Sequence, residues 1–149
     1  MKKLLLATTL FAFFALAMSC EKSSDAPAPA PAYNDSLVIT SVTPATGLTE
    51  TSTTFTVNVK YRLESSSQGE LNIGFNNSSN PATYDMIASA SKIVASGSGT
   101  ATFTVTITPK KWASPNKFYV YVNLANYPHP LQYSPAAGDI QELTFPAAI

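Results

Sequence analysis

Polar and apolar residues alternate along most of the chain after residue 36, and no segment there has the period of a helix. The clearest alternation runs over residues 54–63, where every second residue is apolar and most of the residues between are polar. The apolar positions are Phe55, Val57, Val59, Tyr61 and Leu63. One buried and one solvated face is the pattern of an antiparallel sheet. This part of the chain is therefore predicted to be all-β.

Further strands are predicted wherever the alternation recurs between turn signals. Polar, serine-rich residues 64–69 are predicted as a connection, and Gly97-Ser98-Gly99 as a turn. Residues 83–91 are ambiguous and fit a short edge strand that 92–95 could continue. Tyr119 and Tyr121 fall on an outward face, where they serve as cross-strand stabilisers or binding residues, with the first favoured. The predicted strands are 37–42, 54–63, 71–76, 100–108, 118–124 and 140–145, and Leu143 and Phe145 are the best core candidates of the last one.

The first 19 residues have a different pattern from the rest. Met1-Lys2-Lys3 is a short positive start, residues 4–18 are uncharged, and Ser19 is a small residue before the only cysteine, Cys20. These three parts are those of a secretory signal peptide. The apolar run is shorter than the roughly 20 residues of a transmembrane helix. A signal helix that is removed is therefore predicted over 1–19.

The residues Leu16-Ala17-Met18-Ser19-Cys20 resemble the lipobox of bacterial lipoproteins. The resemblance implies cleavage before Cys20, a diacylglycerol on its thiol and usually an acyl chain on the new amine. Several chains on one residue hold a protein at a membrane permanently. A single cysteine has no intramolecular disulfide partner. The implied location is the cell envelope, lipid-anchored, with the outer membrane or cell surface favoured over the inner membrane. The alternative is a plain signal peptide that happens to carry a cysteine.

Residues 20–36 are predicted to be the lipidated N-terminus and a linker, and 37–149 the folded domain. Residues 26–32 alternate alanine with proline and contain no core-forming side chain. Proline restricts its own backbone and that of its predecessor, so this segment is predicted to be a disordered, polyproline-II-like spacer. It would hold the domain away from the membrane surface.

Residues 37–47, LVITSVTPATG, resemble the opening of many bacterial immunoglobulin-like modules, including those of the IPT/TIG kind. The spacing of the predicted strands and turns is also typical of a sandwich of immunoglobulin or fibronectin-III type. Together these features predict an antiparallel two-sheet β-sandwich, immunoglobulin-like, with about seven strands.

Charge and reactive residues argue against several function classes. The chain carries 9 basic and 9 acidic residues, so it offers no net field for nucleic acid. With one histidine and one cysteine, a His/Cys metal cluster is excluded. The acidic residues do not form a calcium-loop pattern, and Asp139 and Glu142 point to opposite faces of a strand. No enzyme activity, cofactor or metal is predicted.

The best candidate for ligand binding is the long loop 125–138, which contains Tyr127, His129 and Tyr133. These rings combine an apolar body with a polar tip, which suits contact with a sugar or a peptide. Trp112, the only tryptophan, is predicted in another loop and joins this candidate ligand-binding set. The alternative is that Trp112 covers the open end of the sandwich and that the tyrosines and prolines only fix a long crossover.

Three functions fit these features. The leading hypothesis is a membrane-anchored, non-catalytic interaction domain, for adhesion or as an accessory subunit, whose partner is an envelope or extracellular protein or a glycan. The second is a carbohydrate-binding module that uses the loop aromatics. The third is a structural or assembly subunit that pairs through an edge strand.

Overall fold

A computed structural model describes residues 31–76, 88–110, 116–130, 132 and 134–146. The chain divides into two units, Met1–Pro31 and Ala32–Ile149, and the second unit contains the strands. None of the described residues belongs to a helix that is long and apolar enough to cross a membrane. The strands are β1 Ser36–Thr43, β2 Thr53–Asn76, β3 Ala88–Ile107, β4 Lys117–Asn126 and β5 Pro135–Thr144.

The strands form one antiparallel sheet in the order β1-β2-β4-β5, with β3 also paired to β2. The two halves of β2 have different neighbours. Residues up to Leu63 pair with β1 and β3, and residues from Gln68 onward pair with β3 and β4. The register of β2 on β3 shifts between Leu63 and Gln68, so the two strands form a long ribbon that is irregular at its middle.

The sheet curves into an open half-barrel, so that its first and last strands approach each other. The Ile39 backbone N–H donates a hydrogen bond of 2.8 Å to the Asp139 carboxylate. The Thr144 N–H donates to the Ala45 carbonyl at 3.1 Å, and the Leu48 N–H donates to the Thr144 carbonyl at 3.2 Å. The first contact joins β1 to β5, and the other two join the segment after β1 to the end of β5.

The core lies on the inner face of the curved sheet, and the alternation of the sequence predicts most of it. Phe55, Phe75 and Phe118 are fully buried. Tyr61 is half-buried and packs against the core rather than within it. Among the other apolar residues predicted to face inward, Val105 is only partly buried. Most of the rest are buried, among them Val57, Val59, Leu63, Leu71, Ile73, Phe103, Ile107, Val120, Val122, Leu124, Leu143 and Phe145.

Several predicted boundaries are wrong. Residues 64–69 are not a connection but part of β2, and Gly97-Ser98-Gly99 is not a turn but part of β3. Residues 97–99 stay in the sheet because they pair with Leu63, Arg62 and Tyr61 of β2. Residues 125–126 belong to β4 and 135–138 to β5, which shortens the predicted loop. The described residues therefore form five strands rather than about seven.

Tyr119 was predicted to point outward, yet only 8% of it is exposed. It lies opposite Glu142 of β5 in the register, and its hydroxyl is 3.4 Å from Glu142 Oε2. Lys117 donates a 2.9 Å hydrogen bond to the same carboxylate oxygen. Burial raises the pKa of Tyr121, and the nearby Tyr119 raises it further. These contacts are those expected of cross-strand stabilisers.

Gly69 is buried just after the irregular point of β2, where little room is left for a side chain. A Cβ there would lie 2.9 Å from Leu63 Cδ2, 2.9 Å from Leu124 Cδ1 and 3.1 Å from the Ala125 carbonyl oxygen. Gly69→Ala is therefore expected to lower the free energy of unfolding by about 1–3 kcal/mol. Chemical denaturation measures the change, and exposed Ser67, replaced by alanine, is the control. Equal unfolding midpoints for the two variants would contradict this close packing.

Candidate functional site

Tyr127 and His129 lie side by side just beyond the end of β4. Their ring centroids are 5.9 Å apart with an interplanar angle of 83°, an edge-to-face contact. Tyr127 is 39% exposed, which is high for a large aromatic side chain. Its backbone N–H donates a 2.9 Å hydrogen bond to the Gln68 carbonyl, which attaches the start of the loop to β2. The exposed ring is thus carried by backbone that the sheet holds in place.

Glu70 of β2 completes this cluster. It lies on the outer face, opposite Ala125 of β4 in the register, and its carboxylate pairs with His129 Nε2. We call Glu70, Tyr127 and His129 the Tyr127 cluster. A hydrogen bond from the Ser91 hydroxyl lowers the pKa of Glu70, with further lowering by His129 and Asn72, and these outweigh the opposing effect of burial. Glu70 is therefore an ionised hydrogen-bond acceptor beside two exposed rings.

The Tyr127 cluster offers binding groups rather than a catalytic arrangement. In a Ser-His-Asp triad the imidazole stands between the hydroxyl and the carboxylate. Here the carboxylate of Glu70 stands between the Ser91 hydroxyl and His129. A hydroxyl that donates to an ionised carboxylate of lowered pKa faces a weak base, so this order does not activate Ser91 as a nucleophile. Across the described ranges, no three His, Cys, Asp or Glu side chains are grouped so that they could hold a metal ion.

The structure brings together two of the predicted ligand-binding residues, Tyr127 and His129. Cys20, Trp112 and Tyr133 lie outside the described residues, so their predicted roles remain predictions.

Glu70 was missed as a functional residue, although a signal for it is present in the sequence. The predicted strand 71–76 places Leu71, Ile73 and Phe75 inward. Extension of that alternation by one residue puts Glu70 on the outer face. Its proximity to His129 depends on the pairing of β2 with β4, a long-range contact that periodicity within one strand does not show.

Comparisons with protein-family models, with curated proteins and with solved structures gave no match.

Proposed function

We propose that this protein is a lipid-anchored, non-catalytic binding domain of the cell envelope, and that the Tyr127 cluster contacts its partner. The observation that supports this most directly is the exposed edge-to-face pair of Tyr127 and His129 on backbone fixed to the sheet. Tyrosine contributes strongly to interfaces because a large rigid ring loses little conformational entropy on binding. The ionised Glu70 beside it adds a directional polar contact.

The proposed anchor is Cys20, cleaved and acylated, followed by the Ala/Pro spacer. Its support is the signal-like segment 1–19 and the absence of any second cysteine to pair with Cys20. Metabolic labelling with a fatty acid would test the anchor directly. Label is expected on the wild-type chain and none on Cys20→Ser.

We propose that the fold is an immunoglobulin-like sandwich of two sheets. Division of β2 and β3 at the register shift yields seven segments in two groups. One group is 36–43, 53–63 and 97–107, which pair with one another, and the other is 88–95, 68–76, 117–126 and 135–144. A constant-type immunoglobulin domain also has seven strands in groups of three and four, which supports this proposal.

The double variant Tyr127→Ala/His129→Ala is expected to weaken partner binding at least tenfold, as the loss of central interface residues does. Full-length chain in detergent micelles is used to capture proteins from a cell-envelope extract, and each captured protein is then titrated in purified form. Tyr33→Ala is the matched control, because Tyr33 is a tyrosine that is 52% exposed. If a partner binds the double variant and Tyr33→Ala equally well, the Tyr127 cluster is not part of the interface.

A carbohydrate ligand is the second candidate, favoured by an exposed ring next to ionised Glu70. Rings of this kind stack on sugars while a carboxylate accepts sugar hydroxyls. A glycan array decides between the two, and Trp112→Ala and Tyr127→Ala are expected to reduce any signal.

Assembly through an edge strand is the third candidate. Among the described residues β3 pairs with β2 alone, which leaves its other edge without a strand neighbour. Such an edge can accept a strand from a partner. Sedimentation that depends on protein concentration would support this candidate.

A further inference from the structure

We propose that a groove on the outer side of β1, β2 and β3 binds an acidic oligosaccharide through Lys60. The groove has a volume of about 480 Å³ and is separate from the Tyr127 cluster. We call it the Lys60 groove. Its lining residues are Ser36, Val38, Lys60, Tyr61, Arg62, Ser98, Gly99 and Thr100.

The sheet register aligns the polar residues of the Lys60 groove in two neighbouring rows. Arg62 lies between Ser36 of β1 and Ser98 of β3, and Lys60 lies between Val38 and Thr100. Neighbouring strands are about 4.8 Å apart. Each row therefore places a basic residue directly beside a hydroxyl-bearing residue of a neighbouring strand.

The two charged residues that line the groove, Lys60 and Arg62, are both basic. Arg62 is partly neutralised, because its Nε donates a 2.6 Å hydrogen bond to Glu64 Oε1. Lys60 is exposed and makes no ion pair within the part of the chain that the structure describes. The uncompensated cation makes an anionic ligand the complementary one.

Val38 gives the groove its apolar surface. It lies opposite Lys60 in the register, is 54% exposed and faces the groove. The ring of Tyr61 packs on the inner face of the sheet, directly against Gly99, so that only the backbone floor of the groove is shared with this pair. Exposed Val38 provides a surface for the carbon-bound hydrogens of a sugar ring.

These features together fit a sugar that carries a carboxylate. Lys60 would pair with the carboxylate, and the hydroxyls of Ser36, Ser98 and Thr100 both donate and accept, as sugar hydroxyls do. A ligand with charge alone would make no use of exposed Val38. A neutral sugar would leave Lys60 without a counter-charge. The groove therefore favours a uronic-acid oligosaccharide over either.

The test titrates the full-length chain, in micelles of a neutral detergent, with oligogalacturonate and with a neutral glucan oligomer of equal length. Binding of the acidic oligomer is expected to fall at least tenfold in Lys60→Gln and about threefold in Thr100→Val. Added salt is expected to weaken it, because the charge pair is exposed to solvent. Lys110→Gln, at an exposed lysine beyond the end of β3, is the matched control and is expected to bind like wild type.

Thermal unfolding of each variant first confirms that it is folded. Because Lys60 and Thr100 are exposed, their substitution is expected to leave the unfolding midpoint unchanged. Equal affinity for the acidic and neutral oligomers would overturn the proposal, and so would equal losses in Lys60→Gln and Lys110→Gln. No binding of the acidic oligomer at millimolar concentration would also overturn it. The double variant at Tyr127 and His129 is expected to retain full binding of the acidic oligomer. The proposals for the Lys60 groove and for the Tyr127 cluster are therefore tested independently.

Discussion

Phe118→Ala is expected to lower the free energy of unfolding by about 3–5 kcal/mol, the usual cost of removing a buried aromatic ring. Phe118 is fully buried on β4. Its ring centroid lies 6.1 Å from that of Phe75, 6.5 Å from Phe55 and 6.4 Å from Phe145. These rings come from both halves of β2 and from the residue after β5, so the cavity would open where four parts of the chain meet.

Denaturant unfolding of the variant against wild type measures this loss. Phe118→Leu keeps most of the apolar volume and is expected to cost only about 1 kcal/mol. Tyr33→Ala removes an exposed ring and is expected to change stability by no more than about 0.5 kcal/mol. A loss below about 1 kcal/mol in Phe118→Ala would mean that this site collapses without a cavity, and that the four rings are not a tightly packed centre.

The inner face of the sheet could be predicted because burial on one side imposes a strict period of two. Phe55, Val57 and Val59 are all buried, and the residues between them are more exposed. The same logic located Leu71, Ile73 and Phe75 without knowledge of their partners. It failed for Tyr119, whose outward position is covered through its contact with β5. Periodicity shows which side a residue faces and does not show what covers that side.

The ends of the strands were harder to predict because they depend on contacts that are distant in sequence. Ser65 and Ser66 have the composition of a loop, yet β2 continues through them. Asp35, which directly precedes β1, accepts hydrogen bonds from the Glu64 and Ser65 N–H groups at the irregular point. From the local sequence alone, Gly97 and Gly99 predict a turn. In the folded chain their backbone pairs with Leu63 and Tyr61 instead.

The candidate sites, like the strands, were only partly predictable from the sequence. Tyr127 and His129 were found because their residue types and their loop are visible in the sequence alone. Glu70 and the Lys60 groove depend on which strands are neighbours. In the sequence, Lys60 and Arg62 alternate with apolar residues and indicate only a solvated face. In the structure, β1 and β3 place hydroxyl-bearing residues beside them. Strand order therefore carries much of the functional information that composition lacks.

Asp35→Asn is expected to lower the free energy of unfolding by about 1–3 kcal/mol at neutral pH, because Asp35 holds the irregular point of β2 through several hydrogen bonds. Its Oδ1 accepts from the Glu64 N–H at 2.6 Å and from the Ser65 N–H at 3.2 Å, and its Oδ2 accepts from the Ser65 hydroxyl. Burial alone would raise the pKa of Asp35, but these hydrogen bonds prevail and lower it from 3.8. An asparagine keeps the shape and one acceptor oxygen and loses the charge.

The same contacts predict how the difference between wild type and Asp35→Asn depends on pH. A carboxyl whose pKa is lower in the folded than in the unfolded state stabilises fully above its unfolded pKa, and this stabilisation disappears as the pH falls through the folded pKa. The difference in unfolding free energy is thus expected to be constant from about pH 7 to 5 and to shrink toward pH 2. The pKa values of Glu64 and Glu70 are also lowered, so wild type alone does not isolate Asp35, whereas the difference between the two proteins does. A difference that stays constant down to pH 2 would show that the charge of Asp35 contributes nothing at this site.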